Sequence, residues 1–189
     1  AAVVVAAGAL GVGVSLARRP AGPAVGDRTV VAVADLTNDT GDPELDPLAR
    51  LLATSIEQSS QVEVVPRSRL VDVLRLAGGE ESPRLDERRG REAARKVGAR
   101  ALLLSAVFRF GARYVVELRA VEPEGERSLF SLKEQADTKE ALPELLDRLS
   151  AQVRSSFGET NDQIGASALA ARSVTASLAA WRHYTAGLD

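Results

Sequence analysis

Cysteine and methionine are absent from the 189 residues, and histidine and tryptophan occur once each. Without cysteine there is no disulfide framework, no thiolate metal site and no cysteine nucleophile. Nor does this sequence hold a residue to carry the lipid of a lipoprotein. The one histidine, His183, leaves a nucleophile–base pair or a histidine metal site a single candidate; beside Trp181 and Tyr184 in a terminal helical stretch, it reads as a packing or surface residue. A chain lacking even an initial methionine is expected to be an excerpt of a longer protein. Aromatic residues make up only 4%, and the basic run Arg84 to Lys96 has none interleaved to form a platform on which bases could stack. Charge of one sign is missing too: 24 basic and 26 acidic residues leave −2, with no general pull on nucleic acid or anionic lipid. No nucleic-acid partner, metal or cofactor is expected.

What is present is ordinary for a folded protein, with 45% hydrophobic residues. Residues 1–16 carry no charge and are followed by Arg18 and Arg19. A bilayer-spanning helix needs about 20 apolar residues, so 1–19 is read as a transmembrane segment cut at its start. The alternative, the apolar region of a signal peptide, would bring its basic start with it. The two arginines favour a cytoplasmic C-terminal side, but that rule weighs both flanks and one is not in the sequence. Residues 20–27, PAGPAVGD, form a linker whose prolines and glycines stop a helix.

The stretch from Val30 to Asp46 organises the domain, expected over 28–158. Val30, Val31 and Val33 predict a buried strand over Thr29 to Leu36. Asn, Asp, Thr and Gly make 37–42 a turn-forming loop. Asp42-Pro43 reads as an N-cap followed by proline at the first helical position. Leu45, Leu48, Leu51, Leu52 and Ile56 then share one helical face, closed by Ser59 and Ser60. A short strand over Val62 to Val65 follows, then a small helix capped by Ser68. A charged helix from Asp86 to Val97 has Gly98 as its C′ residue. Apolar Ala101 to Phe108, alternating Arg113 to Val121 and Ser128 to Glu134 predict an antiparallel meander, the last near an edge. A final helix runs to Phe157, starting either at the Asp137/Glu140 capping-box spacing or with Pro143 in its first turn. Residues 159–172 read as a polar linker, and 173–189 resume helical periodicity through Val174, Leu178, Trp181 and Leu188. A lone helix of that kind cannot bury its face without a partner.

Asp35, Asn38, Asp39, Asp42, Glu44 and Asp46 offer oxygens, but Gly41 is out of register for a calcium loop. The loop also lacks the Gly-Lys-Ser/Thr of a phosphate loop, and its own carboxylates repel phosphate. Turn formation and capping explain it better. A hydrolase would have only these acidic groups to use, without an oxyanion or metal framework. The run Arg84, Arg88, Arg89, Arg91, Arg95 and Lys96, interleaved with Asp86, Glu87 and Glu92, reads as a solvated helix face.

Taken together, VAVADLTNDTGDPELDPLARLLATSI, VEVVPRSRL and AARKVGARALLLSAVFRFGARYVVELRAVEPEGE resemble the N-terminal domain of TolB-like proteins. Leu36, Asn38, Thr40, Gly41, Asp42, Arg67, Gly98 and Gly125 occupy the recognisable positions, and the likeness spans about 29–157. It implies an α/β fold with a mixed sheet of about five strands and three to four helices. It makes Asn38, Thr40, Gly41, Asp42 and Arg67, with Trp181 and Tyr184 in the terminal helix, candidates for structural or interaction roles rather than catalysis. The layout is also similar to myxobacterial-type serine/threonine kinases, where a TolB-like domain follows a membrane helix and precedes tetratricopeptide repeats. That implies a non-enzymatic sensing or protein-interaction module, anchored in the inner membrane with its folded domain periplasmic, binding a protein partner or an envelope ligand. The alternative is an envelope assembly factor or cell-wall-synthase activator of the same fold.

Overall fold

A computed structural model describes residues 28–78, 84–125 and 127–171. The apolar segment 1–19, the linker 20–27 and the terminal helix bearing Trp181, His183 and Tyr184 lie outside those residues. Among the described residues no helix is long and apolar enough to cross a membrane.

Six strands form one mixed sheet: β1 (Thr29–Val33), β2 (Thr37–Asp39), β3 (Val62–Val64), β4 (Ala101–Phe110), β5 (Arg113–Val121) and β6 (Ser128–Ala136). Their order is β3-β1-β4-β5-β6, with β2 paired to β4. β1 runs parallel to β3 and to β4, and β2 runs parallel to β4. β4, β5 and β6 are the antiparallel meander that alternation predicts.

The stretch expected as one strand and one loop is two strands in line. Val33 pairs with Leu103 and Thr37 with Ala106, so four steps along the first chain match three along the second. The Ala34 amide still donates to the Leu103 carbonyl at 2.9 Å, and the extra residue interrupts the ladder after it, leaving Asp35 out, as a bulge does. The Asp35 amide bonds the Leu85 carbonyl at 2.9 Å instead.

Asp42 and Pro43 open a 3-10 turn over Pro43–Leu45, with Asp42 Oδ1 accepting from the Glu44 amide at 3.0 Å. The helix expected to continue from there restarts as α1 (Leu48–Glu57). Pro47 forces the break, since it has no N–H and its ring collides with the carbonyl four residues back. α2 (Arg67–Leu76) has Pro66 at its N-cap, so Ser68 lies inside the helix rather than capping it. Asp86 caps α3 (Glu87–Lys96) by accepting from the Arg89 amide at 2.8 Å. Gly98 ends that helix at φ +70°, a left-handed turn that a side chain resists.

Asp137 and Glu140 do not form a capping box. Thr138 precedes a 3-10 turn over Lys139–Ala141, α4 (Leu142–Ser156) begins with Pro143 in its first turn, and Asp137 bonds Arg113 at 2.8 Å. The stretch expected as a polar linker is helical: α5 covers Asn161–Ala171. Its start carries a capping box, with the Thr160 amide donating to Gln163 Oε1 at 3.0 Å and the Gln163 amide to Thr160 Oγ1 at 3.4 Å.

The parallel half is covered on both faces. Leu45, Leu48, Leu52 and Ile56 meet Leu142, Leu145, Leu149 and Val153 over Val31, Val33 and Leu103. On the other face Leu70, Leu74, Ala93 and Ala94 pack on Ala32, Leu102 and Val121. α3 lies close to the sheet because Gly90 faces Leu102; a Cβ there would sit 3.2 Å from both Leu102 methyls.

Candidate functional site

The chain leaving β1 enters α1 on one face of the sheet, and the chain leaving β3 enters α2 on the other. Strands whose exits part in this way leave a crevice beyond their carboxyl ends. Toward β4 the crevice is filled, because β2 lies along that strand. Between β1 and β3 it stays open as a groove of about 670 Å³. Val33, Ala34, Val64 and Val65 form its floor, Ala49, Arg50, Ala53 and Glu57 of α1 one wall, and Pro66, Arg67 and Arg84 the other.

Asp35 lines this groove. Arg67 grips it with Nε at 2.7 Å and Nη2 at 2.8 Å, and the Leu85 amide donates to Oδ2 at 2.9 Å. Burial pushes the Asp35 carboxyl up, but the Arg67 hydrogen bonds, the Leu85 amide and the Arg67 and Arg84 charges outweigh it, so the group is held below the usual carboxylate range. Arg67 is correspondingly raised by the Asp35 carboxylate. A carboxylate held this way is a weak base and stays charged. Arg84 reaches past it to the Leu36 carbonyl at 3.2 Å.

Asn38 and Arg67, two of the residues singled out in the sequence, line the groove together. Asn38 Nδ2 donates to the Asp42 carbonyl at 2.8 Å and to Asp46 Oδ1 at 2.7 Å. Its Oδ1 accepts from the Thr40 amide at 3.1 Å and the Thr40 hydroxyl at 2.6 Å, and Thr40 Oγ1 accepts from the Asp42 amide at 3.1 Å. Thr40, Gly41 and Asp42 therefore build the bend behind the groove and do not line it. Lys139, which sequence reasoning missed, ties that bend to the distant 3-10 turn by donating to Asp42 Oδ2 and, at 2.5 Å, to Glu44 Oε2. Those two carboxylates raise the Lys139 ammonium. Trp181 and Tyr184 are outside the described residues.

The basic run at α3 is a solvated face only in part. Arg91 donates to the Glu122 carbonyl at 2.7 Å and the Gly125 carbonyl at 2.5 Å, and Arg95 to the Pro123 carbonyl at 3.0 Å. These arginines hold the β5–β6 turn to the helix. Carbonyl acceptors leave no pattern in a sequence, which is why the run resembles a surface.

At the far end of the parallel strands lies a second arginine–carboxylate fork. Arg154 donates to Glu159 through Nε at 2.9 Å and Nη2 at 2.6 Å. The Ser59 hydroxyl donates to the same carboxylate, and Ser59 Oγ accepts from the Gln61 and Val62 amides at 3.0 and 3.1 Å. Arg154 also reaches Ser167 of α5 at 2.5 Å. Burial pushes Glu159 up, and its bonds from Arg154 and Ser59 more than reverse that. Among the described residues no group of three or more His, Cys, Asp and Glu side chains is placed to hold a metal ion.

No protein-family model matches the sequence, and no curated protein matches it. Solved structures do. The C-terminal domain of LpoB from Salmonella enterica superposes with a TM-score of 0.53 at 17% identity, over 61% of this chain and 87% of that one. The same domain of LpoB from Escherichia coli gives 0.53 at 18% identity, over 58% and 83%. TolB from Acinetobacter baumannii gives 0.43 at 8% identity, over 68% and 27%. At these identities the likeness to LpoB is one of fold: the mixed α/β arrangement expected from the sequence is the one found, and this chain shares it with the LpoB C-terminal domain.

Proposed function

We propose that this domain is a non-enzymatic protein-binding module of the bacterial cell envelope, and that the groove between β1 and β3 receives a segment of its partner. The observation that carries this reading is the groove itself: an apolar floor beside two polar pairs whose members are committed to each other. Asp35 is paired with Arg67 and Asp46 with Asn38. Pairs held in this way present a fixed shape and pattern of charge to a ligand, whereas acid–base chemistry needs a group free to exchange its proton.

Of the two envelope roles the TolB-like resemblance offers, assembly factor or synthase activator is favoured over kinase-linked sensor. The likeness to the LpoB C-terminal domain supports it. Nothing in the described residues supports the kinase and repeats that the resemblance implies. A photocrosslinking residue at Arg50, in the groove wall, tests the reading in cells, with Lys96 on the opposite helix layer as the control. The expected result is one protein adduct at Arg50, identified by mass spectrometry as a component of an envelope-building machine, and none at Lys96. Equal labelling at both positions, or adducts only with signalling proteins, would count against it.

A further inference from the structure

The two edges of the sheet are treated differently by the chain. β3 is three residues long, is followed by Pro66, and has its Val62 carbonyl capped by Arg28 at 2.5 Å. Short strands, proline and a covering cation are the usual means of keeping an edge from pairing. β6 is nine residues long and has none of these. Its one lysine, Lys133, is drawn onto the face of the sheet, 3.0 Å from Glu117 and over the Phe108 ring. The register irregularity with β5 sits at Ala120/Val121, where Leu129, second residue of β6, is left without a β5 partner; from Phe130 to Ala136 the pairing is regular.

The hydrogen-bond phase of β6 follows from the hairpin before it. Phe110 and Arg113 close a two-residue turn, in which Gly111 at φ +64° supplies the first, left-handed position. Residues closing such a turn exchange hydrogen bonds, and bonded pairs alternate along an antiparallel ladder. Arg113 and every second residue after it therefore bond β4, while Tyr114, Val116, Leu118 and Ala120 bond β6. Their partners are Ala136, Glu134, Leu132 and Phe130. The amides and carbonyls of Ser131, Lys133 and Gln135 consequently point away from the sheet. Among the described residues no other strand pairs with β6 on that side.

We propose that this edge pairs antiparallel with the same edge of a second copy of the chain, joining two sheets into one around a two-fold axis at Ser131. The sequence of β6 is self-complementary in that register. Ser131 faces its own copy across the axis. Phe130 falls opposite Leu132 twice, at the non-bonded positions where side chains come closest. A shift of the axis to Leu132 sets Phe130 against Glu134, and a shift to Lys133 sets two lysines face to face. One strand pair buries less than the roughly 800 Å² per partner of a stable interface, so association is concentration-dependent. It uses none of the groove residues and is independent of the function proposed above.

The absence of cysteine makes the test direct. In the 189-residue chain, kept in excess detergent micelles, Ser131→Cys places its thiols about 5.5 Å apart between Cα atoms across the axis, a separation a disulfide spans. Gln135→Cys, on the same edge, stands eight residue steps, roughly 27 Å, from its copy. With diamide as oxidant, Ser131→Cys is expected to give a covalent dimer at least tenfold faster than Gln135→Cys. Ser131→Pro removes an outward amide without touching the β5 ladder, and is expected to abolish the dimer seen in sedimentation while leaving the melting temperature unchanged. Should that variant melt early, Ser131→Lys, which sets two charges on the axis, takes its place. Equal crosslinking at both positions, or a dimer that survives these substitutions, overturns the proposal, as does a monomer at every concentration.

Discussion

The parallel strands carry an arginine–carboxylate fork at each end, built from the same four atoms at nearly the same distances. Arg67 holds Asp35 at the carboxyl end, and Arg154 holds Glu159 at the amino end. Their surroundings differ. The side chains of Arg154 and Glu159 are 3% and 1% exposed, whereas those of Arg67 and Asp35 are 51% and 26% exposed. The sealed fork joins Ser59 after α1, the end of α4 and Ser167 of α5. The open one lines a groove. The same pairing thus closes one end of the sheet and stands open to solvent at the other, where the function proposed above places recognition.

The largest expected effect is at the sealed end. Arg154→Met leaves Glu159 buried without its cation, and breaking a buried pair from one side costs about 3–5 kcal/mol. Urea denaturation monitored by circular dichroism reads this as a fall in midpoint without a change in slope. Removing both charges, as Arg154→Met with Glu159→Leu, is expected to recover most of the loss, because two apolar groups need no compensation. A single substitution that costs no more than one at Arg67 would erase the distinction between the forks.

Acid sharpens the same comparison. Asp35 and Glu159 both sit below the ordinary carboxylate range in the folded chain. A group whose folded pKa is depressed contributes fully above its unfolded value, about 4 for these residues, and the contribution is lost as pH falls through the folded value. Stability is therefore expected to hold from neutral pH down to about 4 and to decline below it. Glu159→Gln should flatten that decline more than Asp35→Asn, since water already screens the exposed fork. Urea midpoints measured from pH 6 to pH 2 would reveal the order.

How much of this was legible in the sequence depends on what each feature is made of. The apolar floor of the groove, the helical leucine face and the antiparallel meander repeat at fixed spacings, and those spacings gave the layers. Asn38 and Arg67 were found through the resemblance, and both line the groove. Asp35 was read only as one oxygen of an acidic loop, because nothing local shows that one extra residue against β4 turns it toward Arg67, 32 positions away. Lys139 with Asp42 and Glu44, and Ser59 with Glu159, are long-range partners with no periodicity to betray them. The α5 helix did have a signal: Thr160-x-x-Gln163 is a capping-box spacing, hidden by the small residues that follow it.

Between the two forks in size lies the clamp on the acidic bend. Lys139→Met removes the cation shared by Asp42 and Glu44, and an ion pair near the surface contributes up to about 1 kcal/mol. Lys139 is raised in the folded chain, so its share is complete below its unfolded value of about 10.4 and is lost as pH rises through the folded one. The substitution should lower the melting temperature by a few degrees at neutral pH and speed amide exchange over 40–46, leaving exchange in β5 unchanged.

The smallest effect on stability is expected where the effect on binding is greatest. Arg67→Met breaks a fork of the same geometry as the sealed one, yet both partners are wetted and Asp35 keeps the Leu85 amide. Water solvates what the guanidinium leaves, so the loss is expected to stay below about 1 kcal/mol. The groove changes more than the fold: its wall loses a fixed positive charge, and the Asp35 carboxylate, no longer neutralised, rises toward its ordinary range. Protein adducts formed from a crosslinker at Arg50 should fall severalfold in Arg67→Met while the urea midpoint barely moves. In Arg154→Met the midpoint should drop, but adduct formation by the fraction that remains folded should persist. A variant at Arg67 that binds normally and melts early would reverse the roles of the two ends, because the open fork would then be holding the sheet together.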